Sequence, residues 1–148
     1  MDKNMIRYML LLLLAAPLQS LADDRAAIKQ AALDYIQSQH LSNKQQMARS
    51  LHPELKKRTY WTSKDGGETV MESDFSSMLR VAETYNRNGD KFPESPRVEI
   101  EILDVDQRVA SVKLTADDWI DYMHLLRNEQ GEWKIINVLW QFHDTSRH

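Results

Sequence analysis

The chain has 148 residues, 28% of them charged, a formal net charge of −3 and no cysteine. That length suits one domain, and the missing thiols exclude disulfides, thiol catalysis, zinc–thiolate sites and a lipidated cysteine. Basic and acidic residues are mixed along the sequence, so no footprint for nucleic acid or an anionic membrane surface is present.

Met1 to Tyr8 carries Lys3 and Arg7, Met9 to Ala16 is an unbroken apolar run, and Ser20-Leu21-Ala22 is a small-x-small cleavage site. Together they have the anatomy of a cleavable secretory signal peptide. A buried N-terminal helix is the alternative. The apolar run falls short of the roughly 20 residues that span a bilayer, so no membrane anchoring is expected. The expectation is cleavage after Ala22, leaving a periplasmic or secreted chain from Asp23 to His148 folded as a single domain. Taking away Asp2, Lys3 and Arg7 moves the formal net charge from −3 to −4.

Asp24 to Gln39 sets Ile28, Ala31, Ala32, Tyr35 and Ile36 on one side, the helical period. Ser42 followed by Gln45 predicts a capping box opening a second helix through about Leu51. Pro53 closes it, because the residue before a proline is pushed out of the helical region. Arg58 to Thr62 reads as a short strand and Asp65-Gly66-Gly67 as a turn. A third helix is predicted over Ser73 to Tyr85, with Phe75, Met78, Leu79, Ala82 and Tyr85 as its buried stripe. Asn86 to Pro96 is rich in turn-formers. The period then switches to two: Val98, Ile100 and Ile102, then Ala110, Val112 and Leu114, alternate with polar residues.

Two final strands, Trp119 to Leu126 and Trp133 to His143, flank Asn128-Glu129-Gln130-Gly131, a type I turn closed by a glycine bulge. Neither face of this hairpin is plainly polar, so both are expected to be covered. With Asn128 paired to Glu132, one face holds Trp119, Asp121, Met123, Leu125, Trp133, Ile135, Asn137, Leu139, Gln141 and His143. The other holds Ile120, Tyr122, His124, Leu126, Ile136, Val138, Trp140 and Phe142. The first mixes aromatics with an acid, an amide and an imidazole and is expected to line a pocket. The second is nearly all apolar and suits a dimer contact through Tyr122, His124, Ile136, Val138 and Trp140. A turn one residue longer would exchange the faces.

Helices followed by an antiparallel meander make an α+β plan. A sheet with three N-terminal-half helices on its concave face curls into a half-cone whose open end is a natural pocket. The strings His52-Pro53-Glu54-Leu55-Lys56-Lys57-Arg58, Asp121-Tyr122-Met123-His124-Leu125 and Trp133-Lys134-Ile135-Ile136-Asn137-Val138-Leu139-Trp140 resemble the nuclear-transport-factor-2-like (NTF2-like, cystatin-like) superfamily. Within it they are similar to the group labelled "putative lumazine-binding". The resemblance covers essentially the whole of Asp23 to His148. It implies a cone-shaped fold, often dimeric through the outer sheet face. It does not fix function, since the superfamily holds isomerases, dehydratases, polyketide cyclases and non-catalytic transport or docking modules.

Asp121 is the sharpest single candidate. Among Trp119, Met123 and Trp133 it would be desolvated and able to act as a general base. It would otherwise be bonded to a backbone amide or to Arg58. Asn137 would donate to a ligand carbonyl, or else satisfy Asp121. His52, at a helix-to-strand junction, is either a second catalytic candidate or a helix cap. Lys57 and Arg58 would bind an acidic ligand group, or lie on a solvated edge. Trp61, Trp119, Trp133 and Trp140 would stack on a planar ring, or serve core and dimer packing. His40 and His148 read as solvated surface. HExxH is absent, and no metal or cofactor is expected. Three functions stand open: an exported small-molecule binder, a cofactor-independent isomerase, dehydratase or hydrolase with Asp121 as base, and a dimeric interaction module.

Overall fold

The computed structural model describes the backbone of residues 3–148 and side chains from Ser20 onward. The leader reading therefore falls mostly on side chains outside the described residues. Three helices, α1 (Lys3–His40), α2 (Lys44–Ser50) and α3 (Phe75–Thr84), pack on a six-stranded sheet. Its strands are β1 (Leu51–Thr62), β2 (Glu68–Asp74), β3 (Glu99–Asp106), β4 (Val109–Thr115), β5 (Trp119–Arg127) and β6 (Trp133–Phe142). The spatial order is β2-β1-β6-β5-β4-β3. The sheet is curved and unclosed, and it is mixed rather than wholly antiparallel, because β1 runs parallel to β6. The chain through α3 crosses from one edge strand, β2, to the opposite edge, β3.

The α1 stripe forms as its period dictates: Ile28, Ala32, Tyr35 and Ile36 are fully buried against the sheet's inner face. Ser42 does not cap α2. It sits at φ +52° in the link between the helices, and Asn43, extended at φ −113°, accepts the Gln46 N–H instead. An N-cap needs extended backbone, so the residue that turns the chain cannot also cap it. Likewise α3 begins at Phe75, two residues later than predicted. Ser73 and Asp74 end β2, and Asp74 caps the helix by accepting from Ser77 N–H at 2.8 Å. These bonds hold the Asp74 carboxyl down at about 2.

β1 starts at Leu51, seven residues before the predicted strand, and contains Pro53. Proline has no N–H to give a ladder, and the β1–β6 register accordingly breaks between Leu51 and Lys56. β2 carries no apolar alternation, being exposed along almost its whole length as an edge strand. Among the described residues no helix is long and apolar enough to cross a membrane.

Candidate functional site

The β5–β6 turn closes as the sequence predicts, with Asn128 N–H on Glu132 O at 2.9 Å and Gly131 at φ +81°. Leu125 pairs with Ile135, yet His124 pairs with Asn137, leaving Ile136 as an extra residue in β6. Such a bulge reverses the side-chain alternation beyond it. Trp133 and Ile135 therefore face inward, and so do Val138, Trp140 and Phe142, while Asn137, Leu139 and Gln141 face outward. Val138 and Trp140, expected on a dimer surface, belong to the helix-covered face. Asn137, expected in the pocket, stands exposed beside His124 on the outer face, in a groove of about 400 Å³ rimmed by Asp104, Asp106 and Ser111.

On the inner face, between β1, β5, β6 and α3, lies a cavity of about 200 Å³. Trp119, Trp140, Phe142 and Tyr85 supply aromatic walls, and Met71 and Met78 supply thioethers. Gln39, Lys57 and Ser73 are its polar lining. Thioethers next to aromatic rings make a soft surface that adapts to flat apolar ligands. An apolar cavity of about 150 Å³ holds benzene, so this one is sized for one or two fused rings.

The floor of the cavity is a buried polar cluster. Lys57 Nζ donates to Asp121 Oδ1 at 2.9 Å and to the Tyr35 hydroxyl at 2.5 Å. Trp119 Nε1 donates to Asp121 Oδ2 at 2.8 Å. Register explains the meeting: Lys57 pairs with Val138, and Asp121 pairs with Trp140, so all project inward from neighbouring strands. Lys57 also lies 4.9 Å from the Trp140 ring centroid and 5.3 Å from that of Tyr35, within cation–π reach. Burial pushes the Tyr35 hydroxyl well above the ordinary tyrosine range, and the Asp121 charge adds to it. Tyr35 thus stays a neutral phenol.

Asp121 is fully buried, has both oxygens engaged, and stands behind the cavity lining rather than in it. Lys57, its partner, is the charged group that reaches the cavity. Arg58 points to the other face and pairs with Glu72 at 2.8 Å. Trp133 lies at the far end of the sheet, where its Nε1 donates to Asp24 at 2.9 Å. His52 uses Nδ1 to accept the Glu54 N–H at 3.1 Å, a local turn outside the cavity. Of the residues singled out from sequence for ligand contact, the cavity takes Trp119, Trp140 and Lys57 directly and Asp121 through Lys57.

Phe142 and Met71 carry no sequence signal for the pocket they line, and His148 reads from sequence as solvated surface. His148 is instead 9% exposed. Its Nε2 accepts the Phe142 N–H at 2.9 Å, which leaves Nδ1 to donate to Tyr60 O at 3.0 Å. The imidazole thereby bridges β1 and β6 where the ladder between them ends, and its ring packs against Trp140 and Phe142. Among the described residues no three His, Asp or Glu side chains converge as a metal site.

A curved, open sheet wrapped on α1, with its cavity on the concave side, defines an NTF2-like fold. The chain belongs to the family described as "Putative lumazine-binding", whose model matches residues 23–141. An NTF2-like protein of unknown function from Silicibacter pomeroyi DSS-3 superimposes with a TM-score of 0.67 at 14% identity, over 83% of this chain and 98% of that one. A protein of unknown function with a cystatin-like fold from Nostoc punctiforme PCC 73102 gives 0.60 at 11% identity, over 84% and 94%. A ketosteroid isomerase-like protein from Erwinia carotovora atroseptica SCRI1043 gives 0.56 at 12%, over 80% and 95%. At these identities the likeness is one of fold. No curated protein matches the chain.

Proposed function

We propose that this is an exported protein that binds a small planar molecule in the inner-face cavity. The observation that carries the reading is the cavity's composition: four aromatic rings and two thioethers around one buried, hydrogen-bonded cation. A few fixed polar groups in an apolar concavity are what a binding site for a ring compound needs. The family's description points the same way. Binding is favoured over acid–base catalysis because Asp121, the base that catalysis would use, is enclosed and doubly bonded. Export is supported by the Lys3/Arg7, apolar-run and Ser20-Leu21-Ala22 pattern, and by a family match that begins at residue 23.

Protein isolated without refolding and then denatured should release a stoichiometric small aromatic or heterocyclic compound. A chain that releases nothing, and gains no thermal stability from a panel of bicyclic ring compounds, would overturn the reading. The intact mass of exported protein should correspond to a chain starting at Asp23.

The outer face supports a second proposal, a homodimer. Tyr122 and Leu139 pair across β5 and β6 there, 46% and 62% exposed, and Val109, 55% exposed, lies further along the same face at the other end of β4. Exposed apolar side chains grouped on one face mark an interaction surface. Leu139→Lys should give a monomer by light scattering, and an undisturbed dimer would move the interface elsewhere.

A further inference from the structure

Resting on the binding reading above, we infer that the cavity selects an uncharged ring compound bearing a carbonyl, and rejects the corresponding carboxylate. Charge and proton count at Lys57 set this preference. An ammonium group has three N–H donors. Among the described residues, two of them are used, one on Tyr35 and one on Asp121. Lys57 lines the cavity beside the uncharged Gln39 and Ser73, so its third donor is the charged donor offered to a ligand there. An acceptor oxygen on a flat ring held between Trp119 and Trp140 would complete the lysine's hydrogen bonding.

The same geometry sets the ligand's charge. Lys57 and Asp121 pair at 2.9 Å with side-chain exposures of 10% and 0%, so the buried cluster is already neutral. Tyr35, held as a phenol, adds no charge. A carboxylate entering beside Lys57 would leave one uncompensated negative charge in a low-dielectric pocket, which is strongly unfavourable. A neutral carbonyl accepts the same hydrogen bond without that cost. Asp121 is therefore a specificity-determining residue that acts through Lys57, and it never touches the ligand.

Naphthalene-2-carboxamide, naphthalene-2-carboxylate and naphthalene test this as a matched set, titrated by calorimetry into the full protein at neutral pH. The carboxamide should bind roughly tenfold or more tightly than naphthalene, through the bond to a charged donor, and roughly tenfold or more tightly than the carboxylate. In Asp121→Asn the preference should reverse, because Lys57 then lacks its counter-charge. Should that variant not fold, Lys57→Met with Asp121→Asn removes the pair as a unit and should bind carboxamide and naphthalene about equally. A wild type that binds the carboxylate as well as the carboxamide overturns the charge rule. One that binds naphthalene as well as the carboxamide overturns the role of Lys57. Both results would leave the binding pocket standing, whereas failure of all three compounds to bind would remove the pocket reading and this inference with it.

Discussion

The two ends of the β5–β6 hairpin carry the same three chemical groups in different surroundings. Near the turn, Trp133 Nε1 donates to Asp24 at 2.9 Å and Arg127 pairs with that carboxylate at 3.2 Å. At the other end, Trp119 Nε1 donates to Asp121 at 2.8 Å and Lys57 pairs with it at 2.9 Å. Each is an indole, a carboxylate and a cation. The first pair keeps side-chain exposures of 32% and 18%, and ties the start of the packed part of α1 to the sheet. The second keeps 10% and 0%, and underlies a cavity. What differs is water. Solvent screens the first cluster into a clamp of modest strength, while exclusion of solvent makes the second a fixed polar floor whose charges must balance.

Removing one carboxylate at a time separates the two most sharply. Asp121→Ala strands a buried ammonium and should lower unfolding stability by about 3–5 kcal/mol in urea titration. Asp24→Ala leaves Arg127 free to turn to solvent and should cost about 1 kcal/mol. Equal losses would mean that the two clusters are not distinguished by burial. Replacing both partners sharpens the point. Lys57→Met with Asp121→Leu should be more stable than Asp121→Ala alone, since no orphan charge remains.

The contrast extends to polar atoms without partners. Thr59, on β1 two residues from Lys57, is 1% exposed, and its hydroxyl has no hydrogen-bond partner among the described residues. Thr59→Val should raise stability by about 1 kcal/mol, because an isosteric methyl removes an unsatisfied group. A loss of that size would show that the hydroxyl is engaged. His40 is the half-buried counterpart, its Nε2 also without a partner among the described residues and its ring edge-on to Phe92. Burial lowers the His40 pKa, against a smaller opposing pull from Asp117. The sign follows from linkage: the unfolded chain binds the proton more readily, so this contribution is present above about pH 6.5 and is lost as pH falls toward the folded value. In His40→Gln the fall in stability between about pH 7 and pH 5 should be shallower than in wild type. An unchanged slope would assign it to other groups.

How far the sequence could be read follows the same physics. The α1 stripe and the Asn128–Gly131 turn were legible because periodicity and a left-handed glycine are local signals. β2 was not, since an exposed edge strand need not alternate. The early start of β1 was hidden by Pro53, which usually interrupts a ladder and here sits where the register breaks. The site was half legible. Asp121 was identified as a desolvated carboxylate, but its partner proved to be Lys57 rather than Arg58, a choice set by one residue of register. The exchange of Asn137 for Trp140 on the inner face turns on the bulge at Ile136, and nothing in Ile135-Ile136-Asn137 signals a bulge locally. Only pairing with β1 and β5 reveals which face each residue takes.

That exchange of faces is also where the account is most exposed to test. Native mass spectrometry of protein isolated without refolding would compare wild type, Trp140→Ala and Asn137→Ala. A bound small molecule on wild type and on Asn137→Ala, lost in Trp140→Ala, is the predicted result. An empty wild type, or a ligand lost in Asn137→Ala and kept in Trp140→Ala, would contradict it.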